Sequence, residues 1–330
     1  MSQPSAVTVV GNNAYIGDAG NNGAGLNGFF EIFDISNPAS PVRRGRINSQ
    51  NAGVVALYVP IAIAVVGNYA FVADSSSGRL QVINITDPTN PTAVTNIALN
   101  ITINDMKVVG RYAYVIGASA LKIVDISNPA SLSITGSLAD GVGSAYLNNA
   151  NGIYVSGNYA YVAVGQNNSD CVGGLEIINI SNPAAPSHVS KLLAGTPLLT
   201  HAHGIYVSGN YAYIAAQGSP SGCPAGLEIV NVSDPANPVH AGKLATGTGG
   251  AVLDGAYRVA VQGNYAFVSA YDAAAIEVVN ISNPAAPTHY ATIGSASGAS
   301  LTNVYDMFLT NYGLYAVGTN SNAFNIINVR

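Results

Sequence analysis

The sequence is poor in charge, and above all in positive charge. Charged residues make up 8% of the 330 residues, and 11 Lys and Arg against 16 Asp and Glu give a net charge of −5. Phosphate binding needs clustered Lys and Arg, so this composition argues against a nucleic-acid partner. The only basic cluster, Arg43, Arg44 and Arg46, falls on a predicted outer strand. We expect it to be a solvated sheet edge.

Long hydrophobic runs are also missing. No apolar stretch is long enough to cross a bilayer, so we expect no membrane span. The start, Met1-Ser2-Gln3-Pro4, is not a signal peptide. Hydrophobic residues nevertheless make up 48% of the chain, which is enough to build a core and argues against disorder.

What the sequence does contain is one repeat. The phrase Gly-Asn-Tyr-Ala-Tyr/Phe recurs at Gly67, Gly157, Gly209 and Gly263, with variants at Gly11 and Gly110 and a degraded copy at Asn311. A second phrase of the type LEIINISNPAAP follows each of them, beginning at Phe30, Leu80, Leu121, Leu175, Leu227, Ile276 and Phe324. The copies are roughly 43 to 56 residues apart, which is within reach of the blade lengths of propellers.

Each copy predicts four strands, a to d. In the copy around Gly209 they are 204–208, 211–215, 227–232 and 240–244, with a proline-rich turn at 233–238. Their β-branched and aromatic content is typical of buried sheet. We therefore predict an all-β fold, a seven-bladed β-propeller that forms a single domain over 1–330, with blades starting near 5, 61, 104, 151, 203, 257 and 305. The last blade either has three strands or continues in a longer natural chain.

The two phrases resemble the LVIVD repeat family, propellers found in bacterial and archaeal secreted and cell-surface proteins. The resemblance covers nearly the whole chain and implies the fold, but its Tyr, Ile and Asn-Pro positions are sheet core and turns and imply no chemistry. It also implies an extracytoplasmic interaction protein.

Removing the repeated positions isolates the residues that need another explanation. The a–b and c–d turns, on the face we name the bottom face, are short and nearly invariant. The b–c and d–a loops, on the top face, vary in length, and variable loops on a rigid scaffold often carry function. Glu31, Glu176, Glu228 and Glu277 share one strand-c position, and His188, His240 and His289 share one strand-d position, so we expect structural roles for them. Outside the pattern are Asp105, Asp140, Asp170, Asp254, Asp272, Asp306, His201 and His203, all in top-face loops or at the top end of strand a.

The top end of strand a should line the mouth of the central channel. The predicted lining pairs are Ser5/Ala6, Ile61/Ala62, Asn104/Asp105, Asn151/Gly152, His203/Gly204, Tyr257/Arg258 and Tyr305/Asp306. Two interpretations remain open. Either Arg258 pairs with Asp306 or Asp105 and plugs the channel, because a buried Arg must find a carboxylate, or the same residues form a ligand site with Arg258 as the anion anchor.

The leading functional prediction is a secreted or cell-surface binding module that presents its top-face loops to a glycan, a small molecule or a protein. The predicted ligand-binding residues are Arg258, Tyr257, Tyr305, Asn104, Asn151, His201 and Asp254. The alternative is an enzyme of the lyase, isomerase or hydrolase type, in which His203, Asp306, Asp105 and Arg258 carry acid–base chemistry. His203 would be its proton-transfer group, since an unperturbed imidazole has a pKa near 6.5.

No cofactor is expected. A weaker alternative is one metal ion on the top face. Zinc could be held by His201, His203 and one Asp, since i, i+2 spacing puts both rings on one side of a strand. Calcium could be held by Asp and Asn oxygens.

Cys171 and Cys223 each lie three residues before the glycine that opens strand c, Gly174 and Gly226, in neighbouring blades. We predict that their loops meet and form a disulfide, which requires Cα atoms within about 7 Å. Two free buried thiols are the alternative. A disulfide favours an oxidising compartment, and we expect an extracellular, cell-surface or periplasmic location.

Overall fold

The computed structural model describes residues 1–20, 28–50, 57–165, 171–193, 198–218, 222–294, 300–319 and 323–328. Over these residues the chain is an all-β, seven-bladed propeller, with four strands in each of the first six blades and three in the last. The predicted fold class is confirmed. Each blade is an antiparallel meander in which strand order follows chain order.

The strands of the first four blades are as follows. Blade one contains β1 (Pro4–Val10), β2 (Asn13–Asp18), β3 (Phe29–Asp34) and β4 (Val42–Asn48). Blade two contains β5 (Pro60–Val66), β6 (Tyr69–Asp74), β7 (Arg79–Asn84) and β8 (Thr92–Ala98). Blade three contains β9 (Ile103–Val109), β10 (Tyr112–Gly117), β11 (Ala120–Asp125) and β12 (Ser133–Ala139). Blade four contains β13 (Ala150–Ser156), β14 (Tyr159–Gly165), β15 (Gly173–Asn179) and β16 (Ser187–Leu193).

Blades five to seven complete the ring. Blade five contains β17 (Ala202–Ser208), β18 (Tyr211–Ala216), β19 (Gly226–Asn231) and β20 (Val239–Ala245). Blade six contains β21 (Ala256–Gln262), β22 (Tyr265–Ala270), β23 (Ala275–Asn280) and β24 (Thr288–Gly294). Blade seven contains β25 (Val304–Thr310), β26 (Gly313–Gly318) and β27 (Ala323–Ile327). Short 3-10 turns lie at Val142–Ser144 and Thr248–Gly250.

The repeated phrases make the two kinds of bottom-face turn. The glycine of the a–b turn has a positive φ in six blades, 57° at Gly11 and 55° at Gly209 for example, a region that favours glycine. An added Cβ would meet no atom within 4 Å at either position, so the backbone conformation rather than space requires glycine. In the c–d turn the last residue of strand c accepts a backbone N–H two residues later, Ser36 onto Asp34 Oδ1 at 2.8 Å and Thr86 onto Asn84 Oδ1 at 2.9 Å. Asp and Asn interchange there because only a side-chain oxygen is needed.

The hydrophobic core is divided into layers between adjacent blades. The layer between blades one and two, for example, contains Phe30 and Ile32 from one side and Val72 and Ile83 from the other. The d–a loop of each later blade inserts one fully or almost fully buried leucine: Leu57, Leu99, Leu147, Leu199, Leu253 and Leu301. The ring is therefore held by seven similar packing contacts rather than by one central core.

The repeated Glu and His residues have the structural role expected of them. Strand-c Glu176 and Glu277 pair with strand-d His188 at 2.6 Å and His289 at 2.5 Å, and Glu228 pairs with His240 in the same way. The second carboxylate oxygen of Glu228 accepts the backbone N–H of Leu198 at 2.9 Å, in the d–a loop that leads into its own blade. Burial raises the pKa of Glu228, while its bond to His240 opposes the shift.

Two other expectations concern the periphery. Cys171 and Cys223 form a disulfide with Cα atoms 5.6 Å apart, between neighbouring blades, so the predicted bridge is confirmed.

The basic cluster lies on edge strand β4, where Arg43 pairs with Glu31 at 3.0 Å and Arg44 pairs with Asp34. In the part of the chain that the structure describes, no helix is long and apolar enough to cross a membrane.

Candidate functional site

The innermost strand of each blade borders the central channel, and residues two apart along it occupy successive levels of the channel. Three layers result, named here from the top face towards the bottom face. The inner layer is Ala6, Ala62, Asp105, Gly152, Gly204, Arg258 and Asp306. The middle layer is Thr8, Ala64, Lys107, Tyr154, Tyr206, Ala260 and Phe308. The rim layer is Val10, Val66, Val109, Ser156, Ser208, Gln262 and Thr310.

A cavity of about 500 Å³ extends through these layers. It begins at Asp105, Arg258 and Asp306, includes the whole middle layer, and reaches Val10 and Val66 at the rim. Val10 and Val66 are 48% and 42% exposed. The cavity therefore meets solvent on the bottom face, where the a–b turns lie.

A second, much smaller cavity of about 60 Å³ lies on the top-face side. Its lining includes Asn104, Asn151, His203, Tyr257 and Tyr305. The Tyr257 ring contacts His203 at 4.4 Å and Tyr305 at 5.0 Å between ring centroids, both in tilted arrangements, and the Arg258 guanidinium carbon is 5.2 Å from the centroid of the Tyr257 ring. His203, Tyr257 and Tyr305 thus form an aromatic layer that lines the smaller cavity.

The residues predicted to share one site at the top mouth of the channel are divided between the linings of the two cavities. Asp105, Arg258 and Asp306 line the larger cavity, whereas the residue before each of them lines the smaller one. Successive side chains along a strand point in opposite directions, and bulges at the top of the innermost strands, as between Asp306 and Val304, accentuate the difference.

Arg258 is the charged group at the closed end of the larger cavity. Its side chain is 11% exposed, and its Nε lies 3.6 Å from Oδ1 of Asp306, whose side chain is 19% exposed. Burial alone would lower the pKa of Arg258, but the carboxylates of Asp105 and Asp306 together raise it above its usual value. Burial raises the pKa of Asp306, and the neighbouring Arg258 opposes this shift. Arg258 is therefore a fixed positive charge.

Both carboxylates are also tied to the next blade. Asp105 Oδ2 accepts the backbone N–H of Ile153 at 3.0 Å, and Asp306 Oδ2 accepts that of Val7 at 2.9 Å. At the corresponding place in blade four, a Cβ on Gly152 would lie 2.0 Å from the carbonyl oxygen of His203. Neighbouring innermost strands come so close there that no side chain fits. The inner layer therefore carries its charged groups on blades three, six and seven.

The polar residues of the smaller cavity also join blades. Asn104 Nδ2 donates to the carbonyl of Ala150 at 2.8 Å, and Asn151 Nδ2 donates to that of Ala202 at 3.0 Å. In blade one, Ser5 Oγ donates to the carbonyl of Pro60 at 2.6 Å. These side chains hold the innermost strands in register, so part of their hydrogen-bonding capacity is already used by the framework.

His203 does not have the ordinary pKa on which the catalytic alternative depends. Burial, with the positive charge of Arg258 as the second cause, lowers the pKa of His203 to about 3. The imidazole is neutral at pH 7 and contacts the Tyr257 ring. It lines the smaller cavity, whereas Asp105 and Asp306 line the larger one. The four proposed catalytic side chains therefore do not face one common space.

His201 and Asp254 line neither cavity. His201 has a φ of 47° and precedes strand β17, so the i, i+2 rule used for the zinc alternative does not hold. Its Nδ1 is 2.7 Å from the carbonyl oxygen of Gly218. Asp254 is an exposed turn residue. Among the described residues, no three His, Cys, Asp or Glu side chains are placed to share a metal ion. Asp170 lies outside the described residues.

Three residues of the middle layer were not predicted from the sequence. Lys107, Tyr154 and Tyr206 all line the larger cavity, and the rings of the two tyrosines are 4.8 Å apart. Burial and the neighbouring Tyr206 raise the pKa of Tyr154 to about 12, so its hydroxyl stays protonated at neutral pH. Each of the three lies two residues after an inner-layer residue, which is the period of a strand, so this spacing would have predicted them.

Comparison with known proteins agrees with the repeat. Six stretches match the LVIVD repeat: residues 3–49, 61–98, 103–140, 148–193, 200–246 and 255–292. Together they cover more than half of the chain. No curated protein matches the sequence.

Solved structures share the fold at low sequence identity. The β-propeller domain of Cps50 (Swd1) from Myceliophteria thermophila is 12% identical, with 99% of this chain and 97% of that one covered and a TM-score of 0.70. The periplasmic gluconolactonase of Pseudomonas aeruginosa is 11% identical, with 96% and 88% covered and a TM-score of 0.69. A putative 6-phosphogluconolactonase from Bacteroides fragilis is 15% identical, with 84% and 80% covered and a TM-score of 0.64. At these identities the likeness shows the fold alone.

Proposed function

This chain belongs to the LVIVD repeat family, and we propose that it is a binding module that holds a small anionic molecule in its central channel, with Arg258 as the anchor. The observation that carries the proposal is the placement of this guanidinium. It is almost buried, yet it faces a cavity of about 500 Å³ that meets solvent on the bottom face.

The surroundings of Arg258 leave donors for a ligand. Its contact with Asp306, at 3.6 Å, is longer than a good hydrogen bond. Asp105 and Asp306 each accept a backbone N–H from the next blade, so both carboxylates are also part of the framework. A guanidinium has five N–H donors in a planar fork that suits a carboxylate or phosphate. An anion at the closed end of the cavity would use the donors that Asp306 does not.

The site favours binding over catalysis. His203 is neutral at pH 7, and it lines the smaller cavity whereas the carboxylates of Asp105 and Asp306 line the larger one. A gluconolactonase is among the structural neighbours, but at 11% identity it lends no residue roles to this chain. The top face, with its variable loops, remains the candidate surface for a glycan or a surface protein. Parts of those loops lie outside the described residues, so the proposal rests on the channel.

We also propose that the protein works outside the cytoplasm, in the extracellular space, at the cell surface or in the periplasm. The Cys171–Cys223 disulfide supports this, because disulfides persist mainly in oxidising compartments. The test is the redox state of the two cysteines in protein trapped directly from the cells that make it.

The binding proposal is tested with a panel of small carboxylates: propionate, gluconate, benzoate and phenylpropionate. The melting temperature of the wild type should rise in the presence of at least one of them, since a ligand at 100 times its Kd stabilises the folded protein by about 2.7 kcal/mol. Arg258→Gln should remove the effect, whereas Arg111→Gln, at an exposed surface arginine, should retain it. Arg258→Lys keeps the positive charge but lacks the planar fork of N–H donors. It replaces Arg258→Gln in this comparison if the Gln variant does not fold. An equal response of wild type and folded Arg258 variants would overturn the proposal.

A further inference from the structure

The composition of the cavity wall changes from the closed end to the rim. Charge lies in the inner layer, at Arg258, Asp105 and Asp306, and again one step outward at Lys107. Aromatic rings lie in the middle layer, at Tyr154 and Phe308. Aliphatic side chains lie at the rim. From this gradient we infer that the ligand is an amphiphilic organic acid, which enters from the bottom face with its carboxylate first and leaves an aryl or alkyl group at the rim.

The direction of entry follows from the aromatic layer. On the top-face side of Arg258 lies Tyr257, whose ring contacts both His203 and Tyr305. The cavity that the described residues line there holds about 60 Å³, enough for water molecules but small beside common ligand pockets. An organic acid reaches the guanidinium from the bottom face without any change in these rings.

The choice of a carboxylate follows from a second cation and a hydroxyl donor. Lys107 and Tyr154 line the same cavity as Arg258, one layer closer to the rim. Lys107 is exposed, and the Tyr154 hydroxyl is protonated at neutral pH. The carboxylates of Asp105 and Asp306 line the cavity as well, but each already accepts a backbone N–H from the next blade. The two cations and the O–H donor remain to bind a group that carries negative charge on two oxygens.

The apolar part follows from the rim layer. Val10, Val66 and Val109 are 48%, 42% and 48% exposed, at the same position on three adjacent blades. The other four blades have Ser156, Ser208, Gln262 and Thr310 there. Val10 and Val66 also line the larger cavity, so they place apolar surface at its mouth. Arg258 and the rim are four residues apart along a strand, about 13 Å, a span that an aryl or alkyl acid held by the extended Arg258 side chain would largely fill.

This inference rests on the proposed function, and its test separates the two. Isothermal titration would compare phenylpropionate with gluconate, which has a carboxylate but a hydroxylated chain, and with phenylpropanol, which lacks the charge. The wild type should bind phenylpropionate at least about tenfold more tightly than gluconate because of the apolar area that it buries, and at least about tenfold more tightly than phenylpropanol because of its charge on Arg258. The triple variant Val10→Ser, Val66→Ser, Val109→Ser should lose about that tenfold, whereas Val42→Ser and Val239→Ser at exposed outer-strand positions should not.

Entry is tested by blocking each face. Ser208→Cys, at the bottom-face rim, and Asp272→Cys, exposed on the top face, would each be coupled to a bulky maleimide in the oxidised protein. The label at position 208 should abolish phenylpropionate binding, and the label at position 272 should leave it unchanged; the reverse would overturn the inference. Gluconate bound as tightly as phenylpropionate, and lost in Arg258→Gln, would overturn the inference and leave the proposed function standing. No carboxylate bound at all would overturn both.

Discussion

The carboxylate of Asp306 accepts a hydrogen bond from the backbone N–H of Val7 at 2.9 Å, across 299 residues of sequence. This bond joins the last blade to the first. The same carboxylate lies 3.6 Å from the Arg258 guanidinium, so one side chain both closes the ring and faces the candidate binding cavity. Asp105 has the same relationship to Ile153 in the next blade, at 3.0 Å.

The first prediction concerns this closure. Asp306→Ala should lower the free energy of unfolding by about 2–3 kcal/mol, because it removes a hydrogen bond to a charged group and a partner of the buried Arg258. Asp306→Asn keeps an acceptor oxygen and should lower the free energy of unfolding by less. Urea unfolding measures both, with Asp105→Ala as the matched change between two consecutive blades. A change below about 0.5 kcal/mol in Asp306→Ala, the level of an ordinary surface substitution, would contradict a role in closure.

The second prediction is a pH dependence. Burial and the charge of Arg258 lower the pKa of His203 to about 3 in the folded protein, whereas an unfolded histidine titrates near about 6.5. The unfolded chain therefore binds more protons between these values. The contribution of His203 to stability is complete above about pH 6.5 and is lost as the pH falls towards about 3.

This dependence is measured by comparing the wild type with His203→Gln from pH 7 to pH 4. The free energy of unfolding of the wild type should fall more steeply, by about 1 kcal/mol per pH unit, while all other titrating groups are common to both proteins. Parallel curves would show that His203 titrates normally in the folded state.

The third prediction concerns the disulfide. Cys171 and Cys223 are 52 residues apart in sequence, and a bridge across such a segment typically stabilises by about 2–4 kcal/mol. Reductant should lower the melting temperature of the wild type, and it should have no effect on the double variant Cys171→Ser, Cys223→Ser. Equal melting temperatures of the oxidised wild type and the double variant would contradict a stabilising role.

The fourth prediction concerns the buried glutamates of strand c. The carboxylate of Glu228 accepts a hydrogen bond from the backbone N–H of Leu198 at 2.9 Å. Glu228→Ala removes this bond, so hydrogen exchange at the Leu198 amide should become faster. Glu228→Gln keeps an acceptor and should protect that amide better. His240→Ala leaves the Leu198 bond in place and is the matched control. Unchanged exchange in Glu228→Ala would mean that Leu199, fully buried beside it, holds the loop alone.

The fold could be predicted from the sequence because one pattern occurs seven times. Tyr213 and Leu227, for example, have an aromatic and an apolar counterpart, respectively, in every other blade, so an error in one copy is corrected by the others. The disulfide was predictable for the same reason, since Cys171 and Cys223 hold the same place relative to strand c.

The site was harder to predict because it depends on what breaks the pattern. Arg258 was identified, but its place in a different cavity from His203 was not. The contacts of Tyr257 with His203 and Tyr305 join three blades, and no single repeat encodes them. The left-handed φ of His201 was likewise invisible in its spacing from His203.

The most direct test of the account is a crystal soaked with para-bromophenylpropionate, because the bromine can be located by anomalous scattering. The account predicts a carboxylate on the Arg258 guanidinium and a bromine peak towards the rim, near Val10 and Val66. A bromine peak on the top face, or binding in the channel that persists unchanged in Arg258→Gln, would contradict it.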